Sequence, residues 1–224
     1  YAVKEESINK TPAVYVNLFL SNTSTLNVGG KKVRLSQTTD YPWSGDVTLK
    51  IEENKAGEFW LNIRLPGWVY NQVVPSDLYT YADGKTPKFT VSVNNKKQQF
   101  FPSNIESAHG YIAMGGKWKK GDVIKIHFDM EPRIVRANDQ VEADRGMVCV
   151  ERGPLVYCAE HPDNEADIAD IRIKKNSTFS LGQKEIAGTP VTTLVSQEHS
   201  LTLIPYFAWC HRGHAPMRVW LPKE

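Results

Sequence analysis

The sequence has no apolar run of the ~20 residues that a membrane-spanning helix requires, and no large excess of charge of either sign. Its 27 Lys and Arg residues are nearly balanced by 25 Asp and Glu residues, which gives a formal net charge of +2. Such a balance gives no electrostatic attraction toward nucleic acid or an anionic membrane surface. We therefore predict neither a nucleic-acid partner nor a membrane partner.

Cysteine is scarce, since only Cys149, Cys158 and Cys210 occur in 224 residues. An odd number leaves at least one thiol unpaired, and a chain of this size does not need disulfides to fold. Cys149 and Cys158 flank Gly153-Pro154, so a hairpin would bring them near each other. The sequence does not decide whether these two cysteines pair.

Helical periodicity is almost absent, and so are a dinucleotide-binding fingerprint, a Walker loop and the β-α-β alternation of parallel sheets. Apolar and polar residues instead alternate in short runs that are rich in β-branched and aromatic types, which is typical of strands. Turn-forming Gly, Asn and Asp clusters separate these runs. The alternating runs lie at residues 14–20, 47–52, 59–65, 89–93 and 123–128. We predict an all-β protein of two antiparallel β-sandwich, jelly-roll-like domains.

The domain boundary is expected near Glu131-Pro132, where a closely spaced set of strands ends. Residues 1–12 are interpreted as a linker, residues 13–131 as the first sandwich and residues 132–224 as the second. The pattern leaves open whether the last strand returns to the first sandwich. Because the chain opens on Tyr1 without an initiator Met or a signal-peptide pattern, we expect it to be a fragment or a processed form.

Nine short motifs run through the chain in a fixed order. They are YVNLF at 15–19, YPWSGDV at 41–47, IRLPGW at 63–68, GYI at 110–112, WKKGDV at 118–123, MEPR at 130–133, RGPLVY at 152–157, IPYFAW at 204–209 and MRVWL at 217–221. Their order and spacing resemble the C-terminal half of glycoside hydrolase family 127, the bacterial β-L-arabinofuranosidases. The resemblance covers essentially the whole chain.

The resemblance implies that an N-terminal (α/α)6 barrel precedes the linker at residues 1–12 and carries the catalytic site. In that family a zinc-bound cysteine is the nucleophile, a glutamate is the acid/base, and a Cys-Cys motif stands just upstream of the strand that matches residues 15–19. No Cys-Cys pair occurs in this sequence. None of the family's catalytic or zinc-binding residues therefore transfers to a position here, and we predict no catalytic residue, no metal ligand and no cofactor in this chain.

Apart from the resemblance, the residues themselves offer one candidate metal site. Cys210, His211 and His214 have zinc-ligand chemistry, but a structural zinc site usually needs four ligands, and His161 and His199 would have to approach through the fold. No Gly-x-Ser-x-Gly elbow occurs, and nothing selects one pair among the 25 acidic residues for glycoside hydrolysis. The interpretation favoured for residues 210–214 is an exposed turn between two strands.

Aromatic residues are the more informative group, because sugar rings stack on exposed indole and phenol rings. Trp43, Trp68 and Trp118 lie in loop-like contexts. Two interpretations stay open for them: burial against the barrel or the other sandwich, and direct contact with sugar. Asp40, Tyr41 and Trp43 form the segment that we expect to reach the rim of the barrel's active site, since an acid, a hydroxyl and an indole share one proline-containing turn.

The favoured function is that of a non-catalytic β-sandwich region of a glycoside hydrolase, which acts on L-arabinofuranosides or related plant sugars. The sandwiches would pack on the catalytic barrel of the same polypeptide and support it. A carbohydrate-binding module is the alternative, and an adhesin-like interaction module is a third possibility. A carbohydrate and a second copy of the chain are further candidate partners. The compartment, periplasm or cytoplasm of a bacterium, stays open.

Overall fold

Strands dominate the computed structural model, which describes residues 1–5, 10–100, 110–174, 177–196, 198 and 200–224. The strands of the first half are β1 Ala2–Lys4, β2 Ala13–Val16, β3 Asn22–Val28, β4 Lys31–Thr39, β5 Asp46–Asn54, β6 Glu58–Arg64, β7 Tyr79–Tyr81, β8 Phe89–Val93, β9 Lys96–Gln98, β10 Tyr111–Lys117 and β11 Val123–Phe128. The second half adds β12 Pro132–Ala137, β13 Met147–Arg152, β14 Leu155–Glu160, β15 Ser180–Ile186, β16 Thr189–Ser196, β17 Leu201–Pro205, β18 Met217–Arg218 and β19 Leu221–Pro222.

Helical structure in the described residues is limited to short 3-10 turns. The longest of these, Gly67–Tyr70, has four residues, and three-residue turns lie at Glu142–Asp144, His161–Asp163 and Tyr206–Ala208. No helix of the described part of the chain is both long and apolar enough to cross a membrane. The predicted all-β class is confirmed, because strands carry the regular structure.

The chain divides into two compact units, one of Tyr1–Tyr70 with Lys88–Asp129 and the other of Asn71–Pro87 with Met130–Glu224. A single boundary at residues 131 and 132 therefore does not describe the Asn71–Pro87 segment. This segment carries β7, and β7 pairs with β12 in register Thr80 to Arg136. Backbone pairing is the physical reason that residues 71–87 belong with the second unit.

Arg133 fastens the same segment from the side. Its buried guanidinium donates to the Asn71 Oδ1 at 2.6 Å, to both carboxylate oxygens of Asp83 at 2.7 and 3.1 Å, and to the Lys85 carbonyl at 2.6 Å. It also lies 3.5 Å from the centre of the Tyr81 ring. Burial acts to raise the pKa of Asp83, but the bonds from Arg133 and the Lys85 N–H hold that pKa below its usual range.

The first unit contains two sheets, with strand orders β1-β2-β6-β10 and β3-β4-β5-β11-β8-β9. Every neighbouring pair is antiparallel except β2 and β6. Strand β1 lies within residues 1–12, which had been interpreted as a linker. It joins the first sheet because its backbone pairs with β2, with Val3 opposite Val14. Residues 6–9 of that expected linker lie outside the described residues.

The predicted alternation holds in β5 and β6, where every second residue is an apolar side chain buried in the core. It was wrong at residues 18–20. Leu18 and Leu20 were expected on the core face, yet they are 70% and 59% exposed, and Phe19 is buried. The reason is that β2 ends at Val16, and Asn17 leaves the strand and accepts a hydrogen bond from the Tyr111 hydroxyl at 2.9 Å.

The second unit contains one hydrogen-bonded sheet of order β15-β16-β17-β14-β13-β12-β7, to which β18 and β19 add beside β14 and β13. The last strand, β19, pairs with β13 and therefore belongs to the second unit, a point that the sequence left open. Tyr157 and Ala159 belong to one buried cluster, and Cys158 between them belongs to another. Because neighbouring residues of a strand point to opposite faces, the sheet is covered on both sides at β14.

Candidate functional site

The turn that joins β4 to β5 carries three of the five residues singled out by the sequence. The backbone N–H groups of Trp43 and Ser44 donate to the Asp40 carbonyl at 2.8 and 3.2 Å, and the peptide bond between Tyr41 and the next residue, a proline, is cis. The N–H of Tyr41 donates to the Thr39 hydroxyl at 3.0 Å. The turn is therefore closed on itself by backbone bonds and presents Asp40 at the surface.

Gly45 ends this turn against the backbone of β11. A Cβ atom at this position would lie 1.9 Å from the Phe128 carbonyl oxygen, closer than any real contact. The Phe128 N–H donates to the Gly45 carbonyl at 3.0 Å, which holds the two backbones together. Glycine is required here because the close approach leaves no room for a side chain.

Tyr41 and Trp68 lie inside an aromatic cluster with Phe19 and Phe128. Ring centres are 5.3 Å apart for Phe19 and Tyr41, 5.4 Å for Phe19 and Phe128, and 5.9 Å for Trp68 and Phe128. Burial raises the pKa of the Tyr41 hydroxyl, and the nearby Trp68 indole and Arg64 guanidinium oppose that shift. Trp68 is only 8% exposed, so its indole packs in the core of the unit and leaves little surface for a ligand.

Trp118 is held in a different part of the first unit. Its indole N–H donates to the Phe59 carbonyl at 3.1 Å, the two rings lie 6.2 Å apart, and its own carbonyl accepts from the Asn54 amide at 2.7 Å. The residue is 9% exposed. Trp118 therefore closes the turn before β11 against β6, and its indole N–H is used within the fold.

Trp43 differs from the other two tryptophans, because 37% of it is exposed. The loop that carries Leu18 and Leu20 is held to the end of β4, where this turn begins, since the Ser21 hydroxyl donates to the Thr39 carbonyl at 2.8 Å and accepts from the Thr39 N–H at 2.9 Å. We call Leu18, Leu20 and Trp43 the apolar rim. Sequence reasoning singled out Trp43 and missed the two leucines, because the alternation before them predicted an inward direction.

The leucines of the apolar rim are fixed outward by a buried side chain. The amide of Gln37 donates to the Leu18 carbonyl at 3.1 Å and to the Leu20 carbonyl at 2.6 Å. Gln37 is almost fully buried and Phe19, between the leucines, fills the aromatic cluster. The backbone therefore cannot rotate to bury Leu18 and Leu20 without breaking bonds of a buried polar group.

The turn at residues 210–214 is organised by ion pairs. Arg212 contacts the carboxylates of Glu160 and Asp163, the Cys210 N–H donates to Glu160 at 2.8 Å, and Lys184 also contacts Asp163. Burial acts to raise the pKa of Asp163, but the bonds from Arg212 and Lys184 hold it below its usual range. Hydrogen bonds from the two acids raise the pKa of Arg212.

Arg212 and Lys184 thus pair with Glu160 and Asp163, the acidic side chains that contact this turn. The His211 Nδ1–H donates to the Trp209 carbonyl at 3.1 Å. Within the described ranges, no three His, Cys, Asp or Glu side chains lie close enough together to hold a metal ion. His199 lies outside the described residues. Cys149 and Cys158 are free, buried thiols, and Cys210 is a free, exposed one.

Comparison with known proteins identifies both parts of the chain. Residues 13–130 match the beta-L-arabinofuranosidase GH127 middle domain, and residues 132–222 match the glycoside hydrolase family 127 C-terminal domain. The chain is 26% identical, over 252 aligned positions, to a non-reducing end beta-L-arabinofuranosidase of Bifidobacterium longum subsp. longum, which it matches over 98% of its own length and 34% of the relative's.

Solved structures agree. A GH127 beta-arabinofuranosidase superposes with a TM-score of 0.87 at 43% identity, over 96% of this chain and 35% of that one. A GH127 beta-L-arabinofuranosidase from Geobacillus stearothermophilus T6 gives a TM-score of 0.79 at 26% identity, over 95% and 34%. The chain thus spans about a third of the length of these relatives. It belongs to glycoside hydrolase family 127, of which it carries the middle and C-terminal domains.

Proposed function

We propose that this chain is the non-catalytic β-sandwich region of a glycoside hydrolase that acts on L-arabinofuranosides or related plant sugars. In this role it packs on the catalytic portion of the same polypeptide and supports it. Family membership supports the reaction class, since the relatives carry the name arabinofuranosidase. The share of about a third of each relative's length supports a division of labour between this region and the rest of the protein.

The apolar rim is the observation that carries the proposal. Leu18 and Leu20 together with Trp43 expose apolar surface on loops that are fixed by Gln37 and by the closed turn. Exposed apolar surface held in a rigid backbone is a feature of contact sites, because covering it gains free energy and costs little ordering. We assign the catalytic portion of the polypeptide as the body that covers the rim.

The size of the contribution follows from the exposed fractions. Complete burial of a leucine side chain contributes about 1.5–3 kcal/mol. With 70% of Leu18 and 59% of Leu20 available, covering both would contribute about 2–4 kcal/mol. The double substitution Leu18→Asn and Leu20→Asn removes this contribution without touching the core of the unit.

The test compares this double variant in the longer protein and in the 224-residue chain. By calorimetry, the thermal midpoint of the longer protein, about three times the length of this chain, should fall by about 1.5–3 °C, at roughly 0.7 °C per kcal/mol for a unit of that size. The midpoint of the 224-residue chain alone should change by less than about 1 °C, because exposed positions outside special features tolerate substitution. Leu181→Asn, at a position 54% exposed on β15, is the matched control and should change neither.

An equal change in both proteins would contradict the assignment, because the leucines would then act within this chain alone. A midpoint of the longer protein that does not move would also contradict it. The alternative of a carbohydrate-binding module makes a different prediction for the same surface. A carbohydrate-binding module requires that Trp43→Ala weaken retention of the chain in an arabinan gel. A region that only supports the barrel should show the same retention with and without this substitution.

A further inference from the structure

A polar groove of about 460 Å³ opens on the second unit, and no residue of the apolar rim lines it. We define the groove by six of its lining residues, which are Asp77, Thr80, Arg136, Asn138, Asp139 and Lys223. Pockets that hold small ligands range from about 300 to 1,000 Å³, so this volume suits a ligand of one or two sugar rings. Four of the six side chains carry a formal charge.

The groove is built on paired strands and is therefore preformed. Thr80, Arg136, Val148 and Leu221 stand opposite one another across β7, β12, β13 and β19. The Arg136 Nε donates to the Thr80 hydroxyl at 3.0 Å, which orients the guanidinium. At the other wall, the Lys223 N–H donates to the Gly146 carbonyl at 2.9 Å and fixes the backbone below the lysine side chain.

The two cations lie where the groove continues into a smaller cavity of about 60 Å³. Arg136 and Lys223 line both cavities, and the smaller one is otherwise lined by the apolar residues Ala82, Ile134 and Val148. Asp77 and Asp139 line only the larger cavity. The part of the groove that adjoins the smaller cavity thus combines two positive charges with apolar residues, and the two acids line the larger cavity alone.

Neither cation is neutralised by an acidic side chain of the described ranges. The acidic side chains of the described ranges form their ion pairs with cations other than Arg136 and Lys223. The hydrogen bond from Arg136 to Thr80 goes to a neutral hydroxyl. A guanidinium held at its Nε keeps its terminal N–H groups for a planar anion, and it forms the strongest bonds with a carboxylate. The lysine ammonium adds a second point charge at the same end.

We propose that the polar groove binds a sugar acid, a uronate whose carboxylate lies between Arg136 and Lys223. The hydroxyl groups of its ring face Asp77, Asn138 and Asp139, whose oxygen and nitrogen atoms suit neighbouring hydroxyls. The apolar residues Met147 and Val148, which line the groove, accommodate a C–H face of the ring. This site is separate from the apolar rim, so its failure would leave the proposed support of the catalytic portion unaffected.

Isothermal titration calorimetry on the 224-residue chain provides the test, with galacturonate as the probe and galactose as its neutral match. Galacturonate should bind in the millimolar range and galactose at least tenfold more weakly. The affinity for galacturonate should fall severalfold when NaCl is raised from 50 to 500 mM, because the contacts are exposed to salt. Acetate should compete, since it presents the same carboxylate.

Arg136→Gln should weaken galacturonate binding at least fivefold, and Lys223→Gln at least threefold. The matched control is Lys31→Gln, at the exposed first residue of β4 in the first unit, which should change the affinity less than twofold. Far-UV circular dichroism checks that each variant folds. If Arg136→Gln does not fold, Lys223→Gln provides the test. Equal binding of the two sugars, no binding of either, or no effect of the lysine substitution would overturn the proposal.

Discussion

Replacing Arg212 by methionine tests the account of how the second unit tolerates buried charge. The guanidinium contacts two carboxylates, those of Glu160 and Asp163, whose side chains are fully buried. Methionine keeps an unbranched apolar stem of similar reach and removes the charge and the donors. Removing one partner of a buried ion pair typically costs about 3–5 kcal/mol, because the other charge stays buried without compensation. Asp163 keeps its contact with Lys184, so we expect the lower end of this range.

The loss should depend on pH in a definite direction. In the parent chain the pKa of Asp163 lies below its ordinary value of about 4, so its contribution is present above pH 4 and disappears as pH falls through the lowered pKa. Without Arg212, the buried Asp163 carboxylate gains more from protonation in the folded state, because burial raises its pKa and the opposing bonds from Arg212 are gone. The difference in stability between parent and variant should therefore be greatest near pH 7 and smaller at pH 4.5.

Urea unfolding at both pH values measures this difference, and a neutral denaturant is needed because an ionic one would screen the ion pairs. We expect Arg212→Met to lower the free energy of unfolding by about 3 kcal/mol at pH 7. Arg34→Met, at an exposed position of β4, is the control and should change it by less than about 0.5 kcal/mol. A variant as stable as the parent at pH 7, or an equal loss at both pH values, would refute the reasoning.

Two further predictions concern the backbone and the thiols. Gly45→Ala should abolish cooperative unfolding of the first unit or lower its midpoint severely, because its Cβ would overlap a backbone carbonyl, and Gly116→Ala, which has open space around it, should leave the midpoint nearly unchanged. An aromatic disulfide reagent at pH 8 should label one thiol in the folded chain, that of Cys210, and three after unfolding. Burial raises the pKa of Cys149 well above its usual value and that of Cys158 to about 12, so early labelling of either would contradict the structure.

Alternation of apolar residues predicted the strands well where a strand is long and one face is buried. Strands β5, β6, β8 and β11 all appear where the pattern placed them. It failed at Leu18 because the alternating run continues for four residues beyond the end of β2, and a side chain from β4, Gln37, fixes the direction of the leucines. A local pattern carries no information on a hydrogen bond to a residue nineteen positions away.

The ion-pair cluster around Arg212 lay beyond sequence reasoning for a similar reason. Glu160 and Arg212 are separated by 52 positions, and 25 acidic residues offered no ground for choosing one. The nearest signal was the position of Glu160 at the end of an otherwise apolar strand, β14, where a charged residue needs a partner. The Asn71–Pro87 segment was missed because β7 has only three residues, too few to show a period.

The three tryptophans singled out from the sequence differ in which part of the polypeptide surrounds them. Trp68 and Trp118 are buried by residues of the first unit itself, so substitutions there should act on the stability of this chain whatever else the polypeptide contains. Trp43 lies at the tip of a turn that its own backbone bonds close, and a large part of its surface is left for another body. Any effect of Trp43→Ala that appears only in the longer protein, or only with polysaccharide, therefore identifies what that body is.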